Sequence, residues 1–209
     1  SWWIAKQMAN SDPRIKCYRG PGGQPLGMSR RLAMAAVTGE YLAILDTDDV
    51  WSDLHLATQV QVLEAHPTWA FAFSNATFID EQGHGTSTAF ARTPPPTTYQ
   101  DIYQALLARP NFMLCPTLLF RTEAVRCAGS FRGDFGSAET YDLCVRLAKT
   151  HAAGWTPGNW VGHRRHPGQF NGHGKAAIYG EVLQVMREHR AWHWLQLKRE
   201  AWLWGKYAF

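Results

Sequence analysis

Three carboxylates fall within four residues of this 209-residue sequence: Asp46, Asp48 and Asp49. They follow directly on the apolar run Tyr41-Leu42-Ala43-Ile44-Leu45. A continuous apolar run of that length suits a strand buried on both faces. The acids then sit just past its carboxyl end, where ligands bind in open α/β sheets. Three like charges crowded there repel each other unless a cation neutralises them. An oxygen-loving divalent ion, Mg²⁺ or Mn²⁺, suits carboxylate ligands and leaves room for the oxygens of a diphosphate. The plain alternative is a solvated helix start, where Asp is favoured by capping and by the dipole.

A second group of chemically able residues comes late. His163, Arg164, Arg165, His166 and His173 lie among Gly162, Gly168, Gly172 and Gly174. Arginine forks match phosphate oxygens, and glycine lets backbone amides approach them. A metal site built from the three histidines alone is a weak reading, because their spacing follows no zinc pattern. A solvated basic loop is the plain alternative. Cys17, Cys115, Cys127 and Cys144 form no CxxC pair and read as ordinary thiols in a reducing compartment.

The elements that must position these residues alternate between strand and helix. A helix end is expected over 2–10, a turn and short strand over 12–18, and a loop rich in Gly and Pro over 20–27. A helix follows from Ser29 to Val37, with Ser29 as N-cap and Gly39 as stop. The apolar strand then covers 40–45. Leu54 to Ala65 reads as a helix capped by Ser52 or Asp53, and 70–74 as a strand. Residues 80–100 read as a polar surface loop, 102–108 as a helix, 117–120 as a strand and 122–127 as a short helix. Tyr141 to His151 is a helix with Leu143, Leu147 and Ala148 on one face. Residues 154–174 read as a loop and 176–207 as helical. Such alternation gives an α/β class with a mostly parallel sheet.

Apolar residues make up 45% of the chain and charged residues 18%, which suits one globular domain with or without an appendage. The net charge of +4 is modest: it tolerates a phosphate-bearing ligand and indicates no nucleic-acid partner. No apolar run approaches a membrane span, and no signal peptide is expected from the opening residues. It begins Ser1-Trp2-Trp3, without Met, and reads as the middle of something longer. At the other end, Trp192, Trp194, Trp202 and Trp204 accompany Arg187, Arg190, Lys198, Arg199 and Lys206. A basic amphipathic helix of that kind can lie in a membrane interface or pack its apolar stripe on the sheet.

The segment Thr38-Gly39-Glu40-Tyr41-Leu42-Ala43-Ile44-Leu45-Asp46-Thr47-Asp48-Asp49-Val50-Trp51 resembles the acidic signature of family 2 glycosyltransferases. Other segments are similar to that family's pattern. Arg30 stands where the family has an Arg-Asn pair, with Arg31 in the Asn position. Phe131-Arg132-Gly133-Asp134-Phe135 looks like the approach to the acceptor site. Glu139-Thr140-Tyr141-Asp142-Leu143 is similar to its acidic helix start, and Arg164-Arg165-His166-Pro167-Gly168 to its basic His-Pro-Gly element. The resemblance covers about residues 10–172.

The resemblance implies a GT-A-like, Rossmann-like fold: a mostly parallel sheet flanked by helices, with a C-terminal helical tail. It divides the chain into a GT-A-like domain over 1–172, short of its N-terminal strands, and a Trp-rich helical appendage over 173–209. It implies transfer of a sugar from a nucleoside diphosphate sugar to a saccharide or lipid-linked acceptor, with inversion. By the same resemblance, Arg30, Asp46, Asp48, Arg165 and His166 meet the donor, and Asp48 and Asp49 hold Mg²⁺ or Mn²⁺. The family's usual base position is Thr140 here, whose neutral hydroxyl is no substitute for a carboxylate. Glu139 and Asp142 flank it and point in different directions from a helix start, with Glu139 favoured as the catalytic residue. The implied location is the cytoplasm, with contact at the inner face of a membrane if the tail lies there. Two rivals stand beside this reading: an impaired, nucleotide- or sugar-binding member with Thr140 as the lesion, and a peripheral membrane-binding module driven by the basic Trp-rich tail.

Overall fold

A computed structural model describes residues 2–88, 98–108, 113–166 and 175–189. In chain order the elements are α1 (Trp2–Ser11), α2 (Leu26–Met34), β1 (Tyr41–Ala43), β2 (Val50–Trp51), α3 (His55–Ala65), β3 (Trp69–Ile79) and β4 (Gly85–Thr88). They continue with α4 (Tyr99–Ala108), a 3₁₀ turn (Cys115–Thr117), β5 (Leu118–Arg121), α5 (Thr122–Cys127), α6 (Glu139–Ala148), β6 (Ala152–Arg164) and α7 (Lys175–Glu188). Among the described residues no helix is long and apolar enough to cross a membrane.

The strands form one sheet in the order β1-β5-β3-β6-β2, with β4 paired to β3. The α/β class with flanking helices is as expected; the sheet, however, is mixed rather than mostly parallel. Among the described residues β3 and β6 pair in parallel, while β1–β5, β3–β5, β2–β6 and β3–β4 are antiparallel. The reason lies in the connections. The β3–β4 hairpin turns the chain back, and the excursion through α4 brings it into β5 from the end at which β3 finishes. So β5 runs against both of its neighbours.

β3 is the central strand and is buried along nearly its whole length. Phe71 and Phe73 point into a core with Phe120, Ile102, Leu106, Leu143 and Leu147, under α4 and α6. On the opposite face Ala72 and Leu119 meet Leu63 of α3. Each fully buried Phe or Leu is worth about 1.5–3 kcal/mol over an exposed one. These two layers make the sheet a stiff platform for the loops at its ends.

β6 is the main departure from expectation. Residues 154–164 read as part of a loop because Gly154, Pro157, Gly158 and Gly162 interrupt the pattern. They form instead most of the longest strand, and its register against β3 shifts between Ser74 and Asn75 and again between Asn75 and Ala76. Gly154 is there because a β-carbon would meet the Trp69 ring at 2.0 Å. The short strand expected within 12–18 is irregular, and α2 starts at Leu26 with Pro25 as its N-cap, so Ser29 is not the cap. The expected domain boundary at 172/173, His173 and the Trp-rich tail over 190–209 lie outside the described residues. α7, which is described, does not stand off: Val185 lies in the main core, and Val182 and Met186 pack with Ala138.

Candidate active site

The acidic cluster forms the connection between β1 and β2, at the carboxyl end of β1. β2 fixes the far side of that tip: Val50 and Trp51 pair with Gly162 and Val161 of β6. The Trp51 indole N–H donates to the Pro116 carbonyl at 2.8 Å, which ties the tip to the 3₁₀ turn. Beneath Trp51 lies His55, fully buried, its ring 5.1 Å from the indole. Burial pushes the His55 pKa down to about 4, so the ring is neutral at ordinary pH.

The three acids have different fates. Asp49 turns inward, with its side chain 0% exposed. Its carboxylate lies 3.0 Å from His163 Nδ1 and accepts the Arg164 backbone N–H at 2.9 Å. Asp48 is partly open, its side chain 29% exposed, with His166 Nε2 at 3.3 Å from Oδ2. Its backbone carbonyl accepts from Arg164 Nε at 2.8 Å. Asp46 is the most exposed of the three, at 43%, and pairs with Arg30 Nη2 at 3.1 Å. The expected metal pair therefore divides: Asp48 is presented to solvent, while Asp49 is a brace between the tip and β6. Among the described residues no three His, Cys or carboxylate groups close on one point as a ready-made cation cage.

Arg30 links this tip to the start of α6. Its buried guanidinium makes an ion pair with Glu139 and donates to the Thr140 hydroxyl at 2.7 Å. Thr140 in turn donates to Glu139 at 2.9 Å and lies 3.5 Å from Cys115 Sγ. Burial works against the Arg30 charge, but Cys115, Glu139 and Asp46 around it more than offset that and raise its pKa. Burial likewise pushes the Cys115 thiol up to about 11. Glu139 is 2% exposed, and its Oε2 has no hydrogen-bond partner among the described residues. The ion pair is possible because α2 approaches very closely. The Gly27 N–H donates to the Phe135 carbonyl at 2.9 Å, and a β-carbon on Gly27 would fall 2.0 Å from the Arg132 carbonyl oxygen.

Asp142 goes elsewhere. It is buried in an i,i+4 pair with Arg146, at 2.6 Å, and Arg146 reaches on to the carbonyls of Ala128 and Ser130. That assembly clamps the turn after α5 and shares no contact with Arg30. Arg165 is exposed and lies over the Phe78 ring at 3.6 Å, so of the two expected donor contacts on this segment only His166 touches the acidic tip. His163 and Arg164 are the residues sequence reasoning left without an individual role. Their signal was the histidine- and arginine-rich composition; what hid them was the misread strand that carries them.

The model of the family described as glycosyl transferase family 2 matches residues 1–129, more than half of the chain. The chain belongs to glycosyl transferase family 2. Among relatives, an uncharacterized protein of Mycobacterium tuberculosis is 29% identical over 177 residues, covering 75% of this chain and 48% of its own length. The O-antigen biosynthesis protein RfbC of Myxococcus xanthus is 23% identical over 174 residues, covering 83% of this chain and 12% of its own. Among solved structures, S. aureus TarS in complex with UDP-GlcNAc superimposes with a TM-score of 0.67 at 14% identity, over 88% of this chain and 52% of that one. A mannosyltransferase from Pyrobaculum calidifontis in complex with GDP-Man and Mn²⁺ gives 0.51 at 19% identity, over 74% and 41%. These likenesses show the fold, the GT-A arrangement of family 2 members. The chain spans about half or less of the length of these proteins.

Proposed function

We propose that this chain forms part of an inverting glycosyltransferase, moving a sugar from a nucleoside diphosphate sugar to an acceptor hydroxyl. The observation that carries the reading is the acidic tip itself: Asp46 and Asp48 open to solvent, flanked by Arg30 and His166. Family membership and solved relatives holding UDP-GlcNAc and GDP-Man support it.

In this reading Asp46 and Asp48 orient the donor's ribose and diphosphate, and Arg30, His166 and Arg165 supply positive charge toward the phosphates. Asp48 is the carboxylate with room for a divalent cation, with His166 beside it; Mg²⁺ or Mn²⁺ bound there would offset the charge of the leaving diphosphate. Asp49 acts through His163 and Arg164, holding Asp48 in place. Glu139 accepts the proton of the acceptor hydroxyl; its Oε2 has no protein partner but is sealed from solvent, so the acceptor reaches it only by displacing the groups that cover it. The acceptor oxygen forms its bond to the anomeric carbon as the bond to the diphosphate breaks, and a single in-line displacement inverts that carbon. A saccharide or lipid-linked acceptor and contact with a membrane face belong to the same proposal.

A specific observation keeps one second reading alive. Glu139 is held by Arg30, and the neighbouring position carries the Thr140 hydroxyl rather than a carboxylate. That arrangement also suits a member that binds nucleotide sugars but transfers them poorly. Thr140→Asp discriminates: a large gain in transfer favours the impaired reading, and no gain favours Glu139 as base.

Calorimetry with UDP and GDP, with and without Mn²⁺, tests the main proposal on this chain and on Asp48→Ala. Metal-dependent binding that disappears in the variant is the expected result. If neither nucleotide binds this chain or the same chain extended at its N-terminus, the proposal fails.

A further inference from the structure

α6 begins without a cap of its own. Its N-cap residue is Ala138, which has no side-chain acceptor, and the structure records no side-chain cap bond from that residue. The three amides that lead into it, those of Gly136, Ser137 and Ala138, have no helical acceptor, and buried backbone donors need one. They find one on α7. Glu181 accepts the N–H of Gly136 at Oε1, and those of Ser137 and Ala138 at Oε2, each at 2.8 Å. Around this contact Val182, Met186 and Ile178 of α7 pack against Ala138 and Tyr141. A second tie lies alongside: Arg132, just ahead of the same turn, pairs with Glu188 at 2.5 Å.

The residue after Ala138 is Glu139. The segment over 135–140 is therefore gripped from two sides. α2 holds it through Gly27 and Arg30, and α7 holds it through Glu181. A carboxylate bonded to three consecutive amides fixes the turn that leads into α6, and through it where the helix starts and how the adjoining Glu139 and Thr140 side chains are aimed.

We propose that Glu181 is a positioning residue for the acceptor-activating end of the site, an inference that rests on the transferase reading above for its effect on rate. It implies that α7 belongs to the transferase unit, beyond the expected boundary at 172.

The test compares Glu181→Gln and Glu181→Ala with Val185→Ala, a core variant of α7 away from the cap. Gln keeps the size of Glu but offers one carbonyl acceptor in place of a charged pair of oxygens. The first readout is peptide-resolved alkylation of the native protein by iodoacetamide. Cys115 lies against Thr140, and Cys144 is buried further along α6. Both Glu181 variants are expected to raise labelling of Cys115 several-fold and leave Cys144 protected, while Val185→Ala does not raise Cys115 selectively. The second readout is steady-state transfer: kcat falls about 100-fold with the donor KM unchanged, the cost of a misaimed group.

Labelling of Cys115 and Cys144 rising together would mean that Glu181 merely holds the fold, and would overturn the proposal. So would unchanged labelling in both Glu181 variants, or a kcat equal to the parent's. Alkylation needs no donor or acceptor. The outcome of the transfer assay on the parent chain therefore bears on the transferase reading alone, and the positioning claim stands or falls on labelling.

Discussion

Arg30 and Glu139 are 109 residues apart in sequence and form an ion pair inside the protein. Both side chains are buried, and Arg30 also carries Asp46 on its other nitrogen. The pair therefore joins the donor side of the proposed site to the acceptor side through a single guanidinium.

Removing one partner of a buried ion pair leaves the other charge uncompensated. Arg30→Ala should destabilise the protein by about 3–5 kcal/mol, seen as a lower urea midpoint. Arg30→Met with Glu139→Leu should recover much of that stability while abolishing transfer. If the single variant unfolds at the parent's midpoint, the pair is not formed in solution.

Gly27 tests the same junction from the backbone. Its β-carbon would meet two carbonyl oxygens, those of Arg132 and Phe135, at 2.0 and 2.7 Å, and backbone has little room to yield. Gly27→Ala should cost about 1–3 kcal/mol by overpacking and should weaken the Arg30–Glu139 contact. A midpoint equal to the parent's would show that α2 sits further from the 132–135 turn than described.

Asp48 and Asp49 should separate by variant. Asp48→Asn removes the open carboxylate and should abolish the Mn²⁺ dependence of nucleotide binding. Asp49→Asn should leave that dependence in place but lower the apparent metal affinity about 10–100-fold, the usual loss when a supporting partner is removed. Manganese titrations followed by calorimetry with UDP read both. Equal and complete loss in the two variants would refute the division of roles.

His55 sets a pH dependence. Its pKa is lowered to about 4 in the fold from an ordinary 6.5, so below the ordinary value the unfolded chain binds a proton that the folded one refuses. The neutral ring therefore costs nothing above about pH 6.5, and stability falls as pH drops from there toward 4. Urea midpoints of the parent and His55→Phe between pH 7 and 4.5 should diverge, the variant showing the shallower slope. Parallel curves would show that the ring is hydrated.

The acidic tip was legible because an apolar run ending abruptly in carboxylates carries its meaning locally, although the run itself is not a strand buried on both faces: β1 covers only Tyr41–Ala43 and is a half-buried strand at the end of the sheet order. The Asp142–Arg146 pair was legible too, in principle, since four residues along a helix are neighbours. Arg30 with Glu139, and Glu181 with Ala138, were not. Each joins residues far apart, and nothing in the local pattern at either end announces the other. β6 was missed for a different reason: its glycines make room for Trp69, Val50 and Ile79, and sequence reading takes glycine for a break when the cause is close approach.

The pairing of β3 with β6, from Trp69–Ala152 to Ile79–Arg164, has a kinetic consequence. Its partners are more than eighty residues apart, and a parallel ladder of that span forms only after a long loop has closed, an entropic cost met before any bond repays it. His163 and the Arg164 amide, which hold Asp49, stand at the last rungs of that ladder. The expected order of events is therefore a scaffold that collapses early and an acidic tip that stays unsupported until the final strand zips. Pulse-labelled hydrogen exchange during refolding should find the Arg164 amide protected later than those of Phe71 and Phe120, and the newly made chain passes through a stage that is compact but unable to bind.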